Sequence, residues 1–398
     1  ISIKPADFHG MTPKMVVKAG DTVKAGDILF YNKYDEAVKC ASPVSGTVKE
    51  IRRGEKRRIM EVVVDSDGKQ EFADLGTIDP STATADQVKQ YMLDKGLWMF
   101  VKERPIDVVA TPSRTPKAIF VSGFDSAPLA PDYDFILHGE DENFKTGIEA
   151  LKHLTSGEVH VVLNGKVPAD KAFTDLKGVQ IHKIHGKHPA GNVGTQIHHI
   201  DPINKGEFVW ALNPQDIMII GRIMNSGKFD TTKTINLTGS DAQARKYYKT
   251  LIGAQLDPIV KGNIASDNAR VISGNALTGD RVEADGHLGY YHNQITILPE
   301  GNQFKFFLTK GWLGPGFDKF SNSRLFPTWM MPNKKYVLDT NTNGEERGFV
   351  VTGELERVFP FDILPMQLVK AAITNDIDGM ENLGIYEVAP EDFALCEY

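Results

Sequence analysis

The stretch from Val17 to Ile51, VKAGDTVKAGDILFYNKYDEAVKCASPVSGTVKEI, constrains the fold more than any other part of the chain. Gly20-Asp21 and Gly26-Asp27 are tight-turn pairs. Glycine takes φ > 0 at no steric cost, and aspartate hydrogen-bonds its own backbone. Short apolar segments follow, Ile28-Leu29-Phe30 and Val48-Lys49-Glu50-Ile51, while Pro43 and Gly46 bracket a third turn. The stretch therefore reads as short β-strands punctuated by turns.

This pattern resembles the barrel of biotinyl and lipoyl carrier domains, in which G-D-x-V-x-x-G-D-x-L leads to a hairpin and then to A-P-x-x-G-x-V. Carriers place a modifiable lysine at the hairpin tip. The matching tripeptide here is Asp35-Glu36-Ala37, and Glu36 offers no amine to acylate. Lys33 and Lys39 flank the tip out of register. The expectation is a structural barrel without carrier chemistry.

The chain has 398 residues, 41% hydrophobic and 24% charged, enough for several cores. The net charge of −7 lacks the basic footprint of a nucleic-acid binder. No apolar run approaches the ~18 residues that span a bilayer, and no signal peptide is visible. The first residue is Ile1 rather than Met, as in a cut or processed chain. Two cysteines, Cys40 and Cys396, are too few for a four-cysteine zinc site or an iron–sulfur cluster. They form no disulfide framework, so a reducing compartment is the default.

Lys49 to Arg58 carries a dense positive cluster. Arg52, Arg53, Lys56, Arg57 and Arg58 form a candidate patch for an acidic partner or a lipid headgroup, on a hairpin around Gly54. A polar stretch from Asp65 to Thr84 closes the barrel. Helical spacing over Asp86–Leu97 and a Pro/Thr-rich segment over Arg104–Pro116 read as a helix and a linker. From Lys117 the pattern alternates. Strands are expected at Ala118–Val121, Val159–Leu163, Val179–His182, Phe208–Leu212 and Thr234–Leu237. Helices are expected at Asn143–Leu154 and after Asn213-Pro214, with Gly227 as the stop. Such alternation argues for a Rossmann-like α/β domain. Beyond Ser240, glycine-punctuated β-prone segments resemble the soluble-ligand-binding β-grasp module, with strands at Gln294–Leu298 and Gln303–Leu308. Gly311–Trp329 reads as an irregular connection. Asp362–Thr374 begins a helical C-terminal part, followed by a second helical pair over Asp376–Tyr398. The fold class is α+β multidomain. The expected boundaries are a lipoyl/biotinyl-like barrel over 1–84, helix and linker over 85–116, the Rossmann-like domain over 117–240, the β-grasp module and loop over 241–330, and a mixed to helical domain over 331–398.

His185–His199 (HGKHPAGNVGTQIHH) is the most suggestive loop for chemistry. A glycine-rich turn before a helix presents backbone N–H groups to a phosphate, which makes His188, Gly191, Gly194 and Thr195 candidate cofactor contacts. The loop is neither G-x-G-x-x-G nor a P-loop, and close backbone packing explains its glycines equally. Five of the eleven histidines lie between His182 and His199, but a looped segment need not converge them on a metal. Hydrogen bonding is the better reading, and no metal site is expected. No nucleophile–base pair has catalytic spacing. Asp230 and Asp241 read as turn caps. Phe304, Phe306, Phe307, Trp312, Phe317 and Phe320 form an aromatic stretch able to line an apolar pocket or a core.

The order of these parts, with the stretches SPVSGTVKEIRRGEKR, KHPAGNVGTQIHHIDP, NARVISGNALTG, GYYHNQITIL and ERVFPFDILPMQLVKAAITND, is similar to the family formed by the A subunit of the bacterial sodium-translocating NADH:quinone oxidoreductase. The match spans nearly the whole chain. The flavoprotein subunit of complex I and the C subunit of the Rnf complex share parts of the order, but they carry C-x-x-C-x-x-C cluster sets that are absent here. Family members begin upstream of Ile1 and continue past Cys396. The resemblance implies a peripheral chain at the cytoplasmic face of the inner membrane, contributing contacts to ubiquinone or menaquinone and touching the membrane-embedded B subunit. It also implies that flavins, iron–sulfur centres and NADH belong to partner subunits, with no cofactor bound by this chain. An independent FMN-binding NADH dehydrogenase module built on the Gly191–Thr195 loop, and a non-catalytic scaffold, are the alternatives.

Overall fold

The computed structural model describes the whole chain except Phe304, Phe307, Thr309, Lys310, Trp312, residues 321–323 and 344–347, and Tyr398. Gly20, Gly26 and Gly46 all take positive φ, at 96°, 104° and 152°. At Gly46 a Cβ would lie 2.0 Å from the Asp65 carbonyl oxygen, so two strands meet there backbone to backbone. The strands of this part are β1 (Ser2–Ile3), β2 (Pro13–Met15), β3 (Thr22–Val23), β4 (Ile28–Asn32), β5 (Asp35–Ala41), β6 (Gly46–Arg53) and β7 (Ile59–Ser66). They form two small sheets, ordered β1-β7-β6-β3 and β2-β4-β5. Leu29, Phe30, Val38, Cys40, Val48, Val62 and Val64 fill the core of this part. The β4–β5 turn is Lys33–Tyr34, with Asn32 opposite Asp35. The tip thus falls before Asp35-Glu36-Ala37. Asn32 Oδ1 accepts from the Tyr34 N–H at 3.3 Å and closes the turn early.

Helix α1 (Ala85–Asp94) starts at a capping box between Thr84 and Gln87. A buried 3-10 turn, Leu97–Phe100, follows it. The next sheet contains β8 (Lys102–Arg104), β9 (Val108–Val109), β10 (Ile119–Ser122), β11 (Val159–Asn164), β12 (Gln180–Ile184) and β13 (Val209–Leu212), in the order β12-β11-β10-β13-β8-β9. Strands β10 to β13 are parallel, and β8 is antiparallel to β13. The segment expected as a linker therefore supplies an edge of the sheet, with Arg104 opposite Val209. The helices are α2 (Tyr133–Leu137), α3 (Asp141–Lys152), α4 (Lys171–Thr174), α5 (Val193–Ile200) and α6 (Pro214–Ser226). Alternate residues of β10 point to opposite faces. Ile119 and Val121 join Phe144, Ile148, Ile217 and Ile220 of α3 and α6. Ala118 and Phe120 pack with Ile197 of α5. Asn213 caps α6, Pro214 opens it, and Gly227 ends it at φ 65°.

A third sheet, ordered β15-β14-β18-β16-β17, uses β14 (Thr232–Thr238), β15 (Lys246–Leu251), β16 (Ala269–Ser273), β17 (Asp280–Val282) and β18 (Gln294–Pro299), with the short α7 (Asp257–Val260). Its core is Ile235, Leu237, Leu256, Val271, Ile295 and Ile297. Strand β14, expected to end the preceding α/β layer, pairs here instead. The described residues of Gln303–Leu308 form no strand, and Phe304 and Phe307 lie outside the described residues. Helices α8 (Pro365–Thr374), α9 (Ile377–Asn382) and α10 (Ala394–Glu397) close the chain. They pack around Phe359, Phe361, Leu368 and Val388.

Candidate ligand site at the sheet switch point

The chain leaves β10 toward β11 on one side and returns as β13 on the other, so the strand order reverses between these two neighbours. In parallel α/β sheets, the crevice beyond the carboxyl ends of such strands is where ligands bind. A cavity of about 650 Å³ lies there. It is bordered by Ser122 and Leu212 at the strand ends, by Asn192 before α5 and by Asn213 before α6. The barrel contributes Asp7 and His9, and the third sheet and its loops contribute Asp280, Tyr290 and Tyr291. The C-terminal turn contributes Glu391 and Phe393.

The glycine-rich loop forms one wall. Ser126 Oγ lies 3.0 Å from His188 Nδ1 and accepts the Gly191 N–H at 2.8 Å. Ser122 Oγ donates to the Gly191 carbonyl at 2.9 Å, and Gln196 Nε2 donates to Ser122 Oγ at 2.7 Å. A Cβ on Gly191 would stand 2.4 Å from the Ser126 nitrogen, so the backbones touch there. At Gly194 a Cβ would meet Asp392 Oδ1 at 2.4 Å. The first turn of α5 therefore faces a carboxylate of this chain. Thr195 Oγ1 and His188 Nε2 are buried without hydrogen-bond partners. Burial pushes the His188 imidazole below its ordinary value and keeps it neutral.

Arg104 organises the wall beside it. Its side chain is 3% exposed, pairs through Nη2 with Glu391, and stands 3.8 Å from both Asp392 and Asp107. The cavity is acidic and aromatic. Asp7, Asp107, Asp125, Asp216 and Asp280 outnumber Lys102 and Arg104, and Phe100, Phe124 and Tyr133 add apolar surface beside Tyr290 and Tyr291. Burial raises Asp7 and Asp125 above the usual carboxylate range. Lys102 lies over the Tyr291 ring at 4.2 Å.

Of the residues singled out from sequence, His188 and Gly191 border the cavity. Gly194 and Thr195 stand in the adjoining first turn of α5. His182 bonds His160 at 2.9 Å, and His198 bonds Glu387 at 2.9 Å. Among the described residues, no group of histidines, cysteines and carboxylates is arranged to hold a metal. Arg52 is paired with Glu50 and Glu61. Arg53, Lys56, Arg57 and Arg58 are exposed on the β6–β7 hairpin. Phe306 and Phe317 are exposed and do not border the cavity. Phe304 and Trp312 lie outside the described residues.

Arg104, Asp216, Tyr290, Tyr291 and Asp392 escaped sequence reasoning. Arg104 stood in a Pro/Thr stretch read as linker, and Asp216 lies unremarked in the helix expected after Asn213-Pro214. Tyr290-Tyr291 stands just ahead of a buried strand, with two residues between it and the start of β18, and that placement of paired aromatics was the one legible signal.

Fold and cavity together define a multidomain α/β protein with a ligand-sized chamber between its parts. Among the described residues, no helix is long and apolar enough to cross a membrane. Three family models match: the NqrA N-terminal barrel-sandwich hybrid domain over residues 1–67, the NqrA second alpha/beta domain over 83–229, and the NQRA C-terminal domain over 234–284. The A subunit of the Na(+)-translocating NADH-quinone reductase of Rhodopirellula baltica is 38% identical over 98% of this chain and 86% of that protein. The protein of the same name from Pseudomonas aeruginosa is 37% identical, over 98% and 87%. That of Neisseria meningitidis serogroup B is 35% identical, over 100% and 89%. The chain belongs to the NqrA family, the A subunits of Na(+)-translocating NADH-quinone reductases. A crystal structure of an NAD⁺-reducing [NiFe]-hydrogenase aligns with a TM-score of 0.40 at 12% identity, covering 56% of this chain and 48% of that one.

Proposed function

We propose that this chain is the peripheral A subunit of a sodium-translocating NADH:quinone reductase and contributes quinone contacts in the switch-point cavity. The observation that carries the reading is a ligand-sized chamber with aromatic walls, in a chain 35–38% identical to proteins of that name. A neutral, flat ring system fits aromatic walls. The acidic lining disfavours a phosphate-bearing ligand, and Asp392 already faces the start of α5. In this reading the flavins, iron–sulfur centres and NADH reside on partner subunits. The parts correspond to a lipoyl-like barrel, a Rossmann-like layer around strands β8 to β13, a β-grasp module that begins with β14, and a helical end.

The chain lies at the cytoplasmic face of the inner membrane. The exposed apolar side chains Trp329, Met330, Val337, Val350, Val351 and Ile373 supply apolar surface for the membrane-embedded B subunit. Arg53, Lys56, Arg57 and Arg58 offer a second contact, to acidic groups. Phe306 and Phe317 are further exposed aromatic side chains.

A titration of the chain with a water-soluble short-chain ubiquinone, followed by tryptophan fluorescence, tests the cavity. Saturable quenching is expected, and Leu277→Trp, at a residue lining the cavity, should weaken it by at least about tenfold. Equal binding by both proteins would move the quinone elsewhere.

A further inference from the structure

The floor of the cavity holds an ionisable group for which simple binding has no use. Asp216 stands in the first turn of α6, at the switch point, and borders the cavity at 2% exposure. Its Oδ1 is buried and makes no hydrogen bond. A buried oxygen left without a partner costs about 1–3 kcal/mol, so a ligand group able to share a proton with it would be favoured there. Lys233 of β14 is also buried, and its Nζ donates to the Tyr290 carbonyl at 3.2 Å. The other charged or titratable groups whose fields reach Asp216 are Lys102 of β8, Tyr133 of α2, and Tyr290 and Tyr291 before β18. Burial holds all three tyrosines well above their ordinary value, so they stay neutral. The charged and titratable groups acting on Asp216 are therefore two ammonium groups and neutral phenols.

We propose that Asp216 exchanges a proton with an oxygen of a quinone bound in this cavity. The inference rests on the quinone reading above. Two electrons reach the quinone from NADH through the partner subunits, and two protons complete the quinol. One proton comes from the Asp216 carboxyl: its O–H bond breaks as an O–H bond forms on the quinone oxygen. The second proton comes from solvent at the open side of the cavity. Asp216 is left as a carboxylate facing the Lys233 ammonium, and solvent reprotonates it. Burial pushes Asp216 up to about 6, with Lys233 pulling it back, and pushes Lys233 down to about 8. A proton held near neutrality is the one most readily passed in both directions.

The test uses the assembled complex with the wild-type chain, Asp216→Asn and Asp216→Glu. Quinone reduction is followed against pH, alongside electron transfer from NADH to ferricyanide, which bypasses quinone. Asp216→Asn should lower the quinone-dependent kcat by about 100-fold and remove the inflection near neutrality. The ferricyanide rate should hold, and Asp216→Glu should restore turnover with a displaced inflection. An unchanged kcat and pH profile in Asp216→Asn would overturn the proposal. If the asparagine variant fails to assemble, an Asp216→Glu profile superimposable on wild type does the same. Loss of quinone binding in Leu277→Trp with no effect of Asp216→Asn would remove this inference alone. Unchanged quinone binding in Leu277→Trp would remove the cavity reading beneath it.

Discussion

Asp392 occupies the space that a side chain on Gly194 would need: an added Cβ would lie 2.4 Å from its Oδ1. The contact joins the first turn of α5 to the C-terminal turn Pro390–Phe393, some two hundred residues away in sequence. Asp392 has little freedom to retreat. It is buried, and its Oδ2 accepts the Ala389 N–H at 2.8 Å.

Gly194→Ala should therefore destabilise the fold by about 1–3 kcal/mol through overpacking. Asp392→Ala removes the obstacle, so the alanine penalty should nearly vanish in the double variant. A urea-unfolding double-mutant cycle measures this coupling. Additive effects would mean that the two positions do not press on each other.

Arg104 is the other half of this junction. It is buried and faces Glu391, Asp392 and Asp107. Arg104→Met keeps the bulk and strands the carboxylates, at a cost of about 3–5 kcal/mol. The cost should depend on pH. Burial works to raise Asp107, but Lys102 and Arg104 outweigh it and hold the carboxyl below its ordinary value. A lowered carboxylate stabilises the fold above its unfolded value of about 4 and loses that contribution as pH falls through the folded value. The gap between wild type and variant in denaturant midpoint should thus be wide near neutrality and narrow in acid. A gap independent of pH would assign the loss to packing.

The contrast between these residues shows what the sequence could reveal. Turn pairs such as Gly26-Asp27, the Asn213-Pro214 cap and the Gly227 stop are local, and each was legible because backbone chemistry decides it within a few residues. The hairpin tip moved to Lys33–Tyr34 because one side chain, Asn32, closes the turn early. Strand β14 was legible as a strand but not as a member of the third sheet, because pairing depends on partners far along the chain. The site was the least legible part. His188 and Gly191 were visible as a loop. Their neighbours Arg104, Tyr290 and Glu391 come from separate elements, brought together only by the packing of the sheets.

Helices α3 and α6 cross with almost no space between their backbones. A Cβ on Gly221 would lie 1.8 Å from the Asn143 carbonyl oxygen, and one on Gly147 would lie 2.2 Å from that of Ile217. Neither obstacle is a flexible side chain. Gly221→Ala should cost about 3 kcal/mol, despite the better helix propensity of alanine, which contributes only about 1 kcal/mol. Thermal unfolding followed by circular dichroism should show a clearly lower midpoint, and Gly147→Ala should behave alike. A neutral or stabilised Gly221→Ala would mean that the helices can separate freely.

His292 gives the molecule a separate acid sensitivity. Its Nδ1 lies 2.8 Å from Ser273 Oγ, which also accepts the Gly289 N–H at 2.9 Å. Burial holds the imidazole well below its ordinary value, and the nearby lysines add to the effect against Asp280. The folded protein thus keeps His292 neutral where the unfolded chain, with a value of about 6.5, takes up a proton. Its contribution is full above that value and declines as pH falls toward the lowered folded value. His292→Asn retains a group that can bond Ser273 and does not titrate. Between about pH 7.5 and about pH 5, the wild-type urea midpoint should fall and that of His292→Asn should fall less. Parallel declines in the two proteins would assign the acid sensitivity to other groups.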